Sequence, residues 1–241
     1  MTTVVLVHGG WGGGYAWQHV ARRLRAAGHE VYTPTLTGLG ERVHLATPQV
    51  DLRTHIADVV NLLEAEDLSA VALAGHSYGG MVITGVAQCV PQRLAELIYL
   101  DAFVPRDGDA LLDLLAPQAR ADTEDSLRRS DDGWRVLWPG DHDTPRPWPP
   151  STPHFSPQSW LTFSQPLRGA NPAAAALPRT YVRCTADKQP NEFMALALDG
   201  SFARAQAEGW PVRELEGDHG APTEEAGAAL LLDLLSPPGP R

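Results

Sequence analysis

Short apolar runs of strand length alternate with amphipathic helical stretches along most of the 241-residue chain, and this alternation restricts the fold more than any other feature. Strands joined through helices return to the same end of a sheet, so they pair in parallel and need helices on both faces. Thr3–Val7 reads as the first strand and Trp17–Ala27 as a helix, with Val20, Leu24 and Ala27 along one face. Gly28 offers a helix stop, and Glu30–Pro34 reads as the second strand. Asp51 is placed to cap a helix in which Ile56, Val59, Val60 and Leu63 recur at helical spacing. Residues 69–74, 94–102, 179–185 and 210–217 supply four more strands, and residues 224–235 a closing helix before a Pro-Gly tail. The expectation is an α/β fold with a mostly parallel sheet covered by helices on both faces.

Residues 104–178 break the rhythm. They hold Trp134, Trp138, Trp148 and Trp160, and the proline-dense "TPRPWPPSTPHFSP". A structureless loop of this length is uncommon inside a compact domain, and large aromatic side chains normally pack against something. The stretch therefore predicts a small, partly helical cap over the C-terminal edge of the sheet, where ligands of open α/β sheets bind. The predicted organisation is a core of residues 1–103 and 179–236, an inserted cap of residues 104–178, and a tail of residues 237–241.

At the end of the third strand stands Gly-His-Ser-Tyr-Gly, residues 75–79, followed by an apolar helix. This fits the G-x-S-x-G elbow, in which small flanking residues let the backbone turn sharply and lift a serine into a cleft. Ser77 is the candidate nucleophile. A neutral hydroxyl attacks poorly, so it needs a base, and the base needs an acid to orient it. His219, between the last strand and the last helix, stands where the chain order serine, acid, histidine places the base. Asp187, after the penultimate strand, is the preferred acid; Asp101, at the end of the strand before it, is the rival. Asp218 is read as a backbone cap. Backbone donors for an oxyanion are expected from Tyr78 and from the loop "HGGWGGGYAW", at Gly10. His8 is expected to brace that loop. Gly9, Trp11, His76, Trp134 and Trp160 are the candidate pocket residues.

Other functions are disfavoured by composition. A formal net charge of −10 opposes binding to phosphate backbones or anionic membrane surfaces. The glycine-rich loop lacks the spacing of either common nucleotide-binding motif. His44, His55 and His142 have no partners at metal-ligand spacing, so neither metal nor cofactor is expected. Cys89 and Cys184 read as buried free thiols. With a strand beginning almost at the first residue and no long apolar run, the expectation is a cytoplasmic protein acting on a small molecule, as a monomer or homodimer.

The segments "VVLVHGGWGGGYAW", "AAGHEVYTPTLTGLGER", "GHSYGGM", "LDAFVP", "YVRCTADK" and "GDH", in this order, resemble the α/β-hydrolase superfamily over nearly the whole chain. Within it the chain is most similar to the plant methylesterase and hydroxynitrile-lyase group and its bacterial esterase relatives. The resemblance implies the α/β-hydrolase fold, a cap over an apolar pocket, a triad of Ser77, Asp187 and His219, and Gly10 and Tyr78 as oxyanion donors. It favours Asp187 because the family's acid lies in a "C-T-x-D-K" stretch like Cys184–Lys188. The lyases carry a lysine directly after the catalytic histidine and a threonine in the first oxyanion loop. Here those positions are Gly220 and Gly9, which leaves ester hydrolysis as the implied reaction. The expected activity is cofactor-independent cleavage of a medium-sized apolar or aromatic carboxylic ester through an acyl-enzyme. Two rivals are lactonisation or acyl transfer by the same triad, and a non-catalytic receptor on the same fold; labelling of the serine by a fluorophosphonate separates the receptor.

Overall fold

Six strands build the main sheet: β1 (Thr3–Val7), β2 (Glu30–Tyr32), β3 (Val71–His76), β4 (Leu94–Leu100), β7 (Arg179–Cys184) and β8 (Val212–Leu215). Their order is β2-β1-β3-β4-β7-β8, and each neighbouring pair runs parallel. The computed structural model describes residues 1–138, 155–186 and 195–236.

Successive side chains of a strand point to opposite faces, and the sequence alternates accordingly between two cores. Val5, Val7, Leu73, Tyr99 and Tyr181 face one side, under α2 (Leu52–Ala65), α3 (Gly79–Cys89) and α8 (Ala195–Ala207). Val4, Leu6, Ala72, Ala74, Ile98 and Val182 face the other, under α1 (Gln18–Ala26) and α9 (Glu225–Leu234). Both faces of the central strands are thus dry, which is why they read as continuous apolar runs. Asp51 caps α2 as expected: its carboxylate accepts the Thr54 N–H at 2.8 Å, and the Asp51 N–H returns to the Thr54 hydroxyl.

Between β4 and β7 lies the insert. It contains α4 (Leu111–Leu114), α5 (Pro117–Arg129), the antiparallel pair β5 (Arg135–Val136) and β6 (Gln158–Ser159), α6 (Leu161–Ser164) and α7 (Pro172–Ala175). Its Leu111, Leu115, Phe163 and Leu167 join the core on the α2–α3 side of the sheet. Polar hooks hold it to the helices beneath: Gln165 bonds Asp51 and the Arg53 N–H on α2, and Asn171 bonds Gln88 on α3. Trp148 and His142 lie outside the described residues, as does the tail.

One element goes beyond the sequence reading, and one reading needs correction. Helix α8 was not legible, because Gly200 and Ser201 interrupt its apolar spacing. Cys89 is exposed rather than buried, since α3 is covered only through Ala87 and its last turn reaches the surface; Cys184 is buried as expected. Among the described residues no helix is long and apolar enough to cross a membrane.

From β1 the chain steps outward to β2, then returns to β3 on β1's other side. The loops after β1 and β3 therefore part at this point and leave a crevice at the strands' C-terminal ends.

Candidate active site

Ser77 follows β3 at this crevice with φ at +53°, a left-handed conformation uncommon for a residue with a side chain. The turn holds it there: its N–H donates to the Leu100 carbonyl, and its own carbonyl accepts from Gly80 and Phe103. The flanking glycines are steric necessities. A Cβ on Gly75 would lie 2.6 Å from the Gly79 oxygen, and one on Gly79 would lie 2.7 Å from the Val7 oxygen. Strand, helix and first strand pass too closely for any side chain at either place.

His219, in the turn after β8, places Nδ1 2.7 Å from Oδ2 of Asp101. The Asp101 side chain is 1% exposed and that of His219 27%. Asp101 is the first residue past β4, again with positive φ (+43°), and is pinned from both sides: its N–H donates to Val182, and its other carboxylate oxygen accepts the Cys184 N–H at 3.3 Å. The carboxylate on His219 is therefore Asp101, the residue ranked second in the sequence. Asp187, ranked first, lies outside the described residues. With Nδ1–H donating to Asp101, the His219 Nε2 carries the lone pair.

Two further histidines frame the pair. His76, beside Ser77, has its ring 4.5 Å from that of His219 at a tilt of 37°, and donates Nε2–H to the His219 carbonyl at 2.7 Å. Burial, reinforced by the neighbouring His219 ring, lowers its pKa to about 3, so it stays neutral. His8 donates Nδ1–H to the Gly9 carbonyl and accepts the Leu36 N–H on Nε2. Burial lowers its pKa to about 4. A single neutral tautomer thus braces the loop after β1.

That loop lies flat against the elbow. A Cβ on Gly9 would sit 3.2 Å from the Ser77 Cβ, and one on Gly10 would sit 3.7 Å from the Tyr78 Cβ. Among the described residues, the N–H groups of Gly10 and Tyr78 take no hydrogen bond.

The cleft above Ser77 is lined by Gly10, Trp11, Tyr78, Phe103, Leu111, Leu115 and Phe163. Its exposed lining is mostly apolar. Of the pocket residues read from the sequence, Trp11 lines it, whereas Gly9 and His76 are not among its walls. Trp134 and Trp160 are not among its walls: the Arg135 guanidinium covers the Trp134 ring, and Trp160 packs on the core. The apolar walls are instead Phe103, just past β4, and residues of the insert. Leu111 and Leu115, four apart, carried a weak helical signal that could have marked them. Among the described residues no three His, Cys, Asp or Glu side chains gather to hold a metal.

Residues 4–233 match the Alpha/beta hydrolase family. A carbendazim hydrolyzing esterase from Nocardioides sp. (strain SG-4G) is 39% identical over 213 residues, 83% of this chain and 87% of that protein. A pyrethroid hydrolase from Sphingobium wenxiniae is 29% identical over 78% of this chain and 71% of its own length. Among solved structures, an extracellular alpha/beta-hydrolase from a Paenibacillus species superposes with a TM-score of 0.71 at 26% identity, covering 97% of this chain and 98% of that one. It is described as sharing structural and functional homology with tobacco salicylic acid binding protein 2.

Proposed function

Since this chain belongs to the alpha/beta hydrolase family and is an enzyme of its ester-hydrolysing kind, we propose that it is a cofactor-independent serine esterase acting on apolar or aromatic carboxylic esters. One observation carries the reading: a buried carboxylate, Asp101, bonded at 2.7 Å to His219, whose ring lies 4.5 Å from that of His76, the chain neighbour of a serine held at positive φ in an apolar cleft.

The chemistry follows from the tautomer. Asp101 keeps the proton of His219 on Nδ1, so Nε2 takes the proton of Ser77 as its oxygen attacks the ester carbonyl. The charge that develops on the carbonyl oxygen is met by the N–H groups of Gly10 and Tyr78. Imidazolium His219, stabilised by Asp101, then protonates the departing alcohol. Water, activated by the same Nε2, attacks the acyl-serine and releases the acid. His76 contributes by staying neutral, because a second cation 4.5 Å away would oppose the imidazolium. Asp101 takes the acid's role here in place of Asp187.

The mostly apolar cleft supports an apolar group next to the scissile carbonyl, and the relatives named for carbendazim and pyrethroid hydrolysis agree with that preference. The test is direct. Wild type should hydrolyse p-nitrophenyl esters and react with a fluorophosphonate at Ser77, and Ser77→Ala should do neither. An inert wild type would refute the esterase reading.

A further inference from the structure

Two buried polar side chains of the insert have no part in that mechanism: Gln158, 1% exposed, and Thr162, fully buried. Burying an amide is costly unless all its partners are met. Here they are. Gln158 Oε1 accepts the Trp11 N–H at 2.8 Å, and its Nε2 donates to the Thr162 hydroxyl at 2.7 Å. Thr162 in turn donates to the Ser159 carbonyl.

The partner of Gln158 matters more than the bond itself. Trp11 directly follows Gly10, whose N–H is the proposed oxyanion donor, and it has φ at +60°. Its loop holds Gly9, Gly10, Gly12, Gly13 and Gly14, a stretch with little conformational preference of its own. Something outside must impose the conformation, and the insert does so at several points. Besides Gln158, the Ser156 N–H donates to the Trp11 carbonyl at 2.8 Å, and the Trp11 indole N–H donates to Val136 at 2.9 Å. The Gln158 oxygen also lies 3.3 Å from where a Cβ on Gly10 would stand, so one atom bears on both residues.

The side chain of Tyr78, the other proposed donor, is held separately. The Tyr78 hydroxyl donates to Nδ1 of His55, whose Nε2–H donates to the Thr37 carbonyl. Burial raises the Tyr78 pKa well above its usual value.

We propose that Gln158 is a positioning residue for the oxyanion hole: its carbonyl sets the loop that carries Gly10, and its amide is itself held in place by Thr162. The insert then completes the catalytic geometry as well as covering the cleft. Donors of this kind act only when aimed at the charge that forms in the transition state, so loosening them lowers kcat and leaves ground-state binding alone. The proposal rests on the esterase reading.

The experiment compares wild type, Gln158→Leu and Thr162→Val as full chains, with kcat and KM for a p-nitrophenyl ester and Ki for a trifluoromethyl ketone. The ketone forms a tetrahedral adduct with Ser77 and places its oxyanion in the hole. Gln158→Leu should lower kcat about 10- to 100-fold, weaken the ketone in parallel, and change KM less than about threefold. Thr162→Val, which keeps the side chain's shape, should lower kcat about 3- to 10-fold. Thermal melts report whether each variant folds; if Gln158→Leu does not, Thr162→Val decides. A folded variant with kcat and Ki unchanged overturns the proposal, and so does a raised KM at constant kcat, which would mark a binding wall. A wild type that neither hydrolyses the ester nor binds the ketone overturns the esterase reading and this proposal with it.

Discussion

The carboxylate of Asp101 and the Nδ1 of His219 meet at 2.7 Å although 118 residues separate them along the chain. Asp101 is at the end of β4 and His219 is past the end of β8, so the pair spans the C-terminal edge of the sheet. The aspartate is sealed from water while the histidine keeps some access to it. This asymmetry suits an orienting acid set behind a base that exchanges protons.

Asp101→Asn should lower kcat/KM by roughly 10³- to 10⁴-fold, because an amide can donate to Nδ1 and put the imidazole proton on Nε2, the wrong nitrogen. Asp187→Asn should cost less than about tenfold. Steady-state kinetics on both variants checks the assignment, and the reverse ranking would return the acid's role to Asp187.

Ser77→Ala should leave less than about a thousandth of wild-type kcat, since only binding and the oxyanion donors remain. Strain supplies a separate check. A non-glycine residue at φ +53° costs on the order of 1 kcal/mol, which glycine avoids. Urea unfolding should therefore find Ser77→Gly no less stable than Ser77→Ala, in spite of glycine's greater entropy when unfolded.

Ester hydrolysis should rise with pH through one ionisation and then level off, because His219 accepts the serine proton only as the neutral base. His76 and His8, held at about 3 and about 4 by burial, are already neutral where this limb appears. Replacing His219 with Ala should remove both the rate and the limb. A His219→Ala enzyme that kept the same profile would identify a different base.

The same buried histidines should make the fold sensitive to acid. In the unfolded chain they bind protons below about pH 6.5, whereas in the folded protein His8 and His76 resist until about 4 and about 3. Burial lowers His55 in the same direction. Their contribution is fully present above the unfolded value and is lost as the pH falls towards the folded ones, by up to about 1.4 kcal/mol per pH unit for each group. The melting temperature should drop between about pH 6.5 and 4. His76→Gln, which removes one such group, should show a shallower drop.

Much of this protein is legible because local chemistry decides it. The β1 and β3 runs are apolar on both faces, Asp51 and Thr54 make a cap within one turn, and Gly75 and Gly79 flank a serine at a strand-to-helix corner. Each signal needs only neighbours within a few residues, so each can be read without a fold. That Ser77 follows a strand, and that His219 lies between the last strand and the last helix, can likewise be read from the order of elements along the chain. Helix α8 escaped because Gly200 and Ser201 blur the period on which such reading depends.

What only the tertiary structure decided are contacts between distant segments. Asp101 and Asp187 each follow a strand, and nothing local says which carboxylate will face His219; that depends on how the chain turns after β4, with Asp101 at φ +43°. The cleft walls likewise come from packing: Phe163 and Leu115 reach it from the insert, while Trp134 and Trp160, the more conspicuous residues, are not among its walls. Gln158 is the extreme case, a glutamine that meets the Trp11 N–H across 147 residues. Side-chain chemistry names the groups able to accept or donate, but only the folded backbone brings a particular donor to a particular acceptor, and a pattern read along the chain carries no such distance.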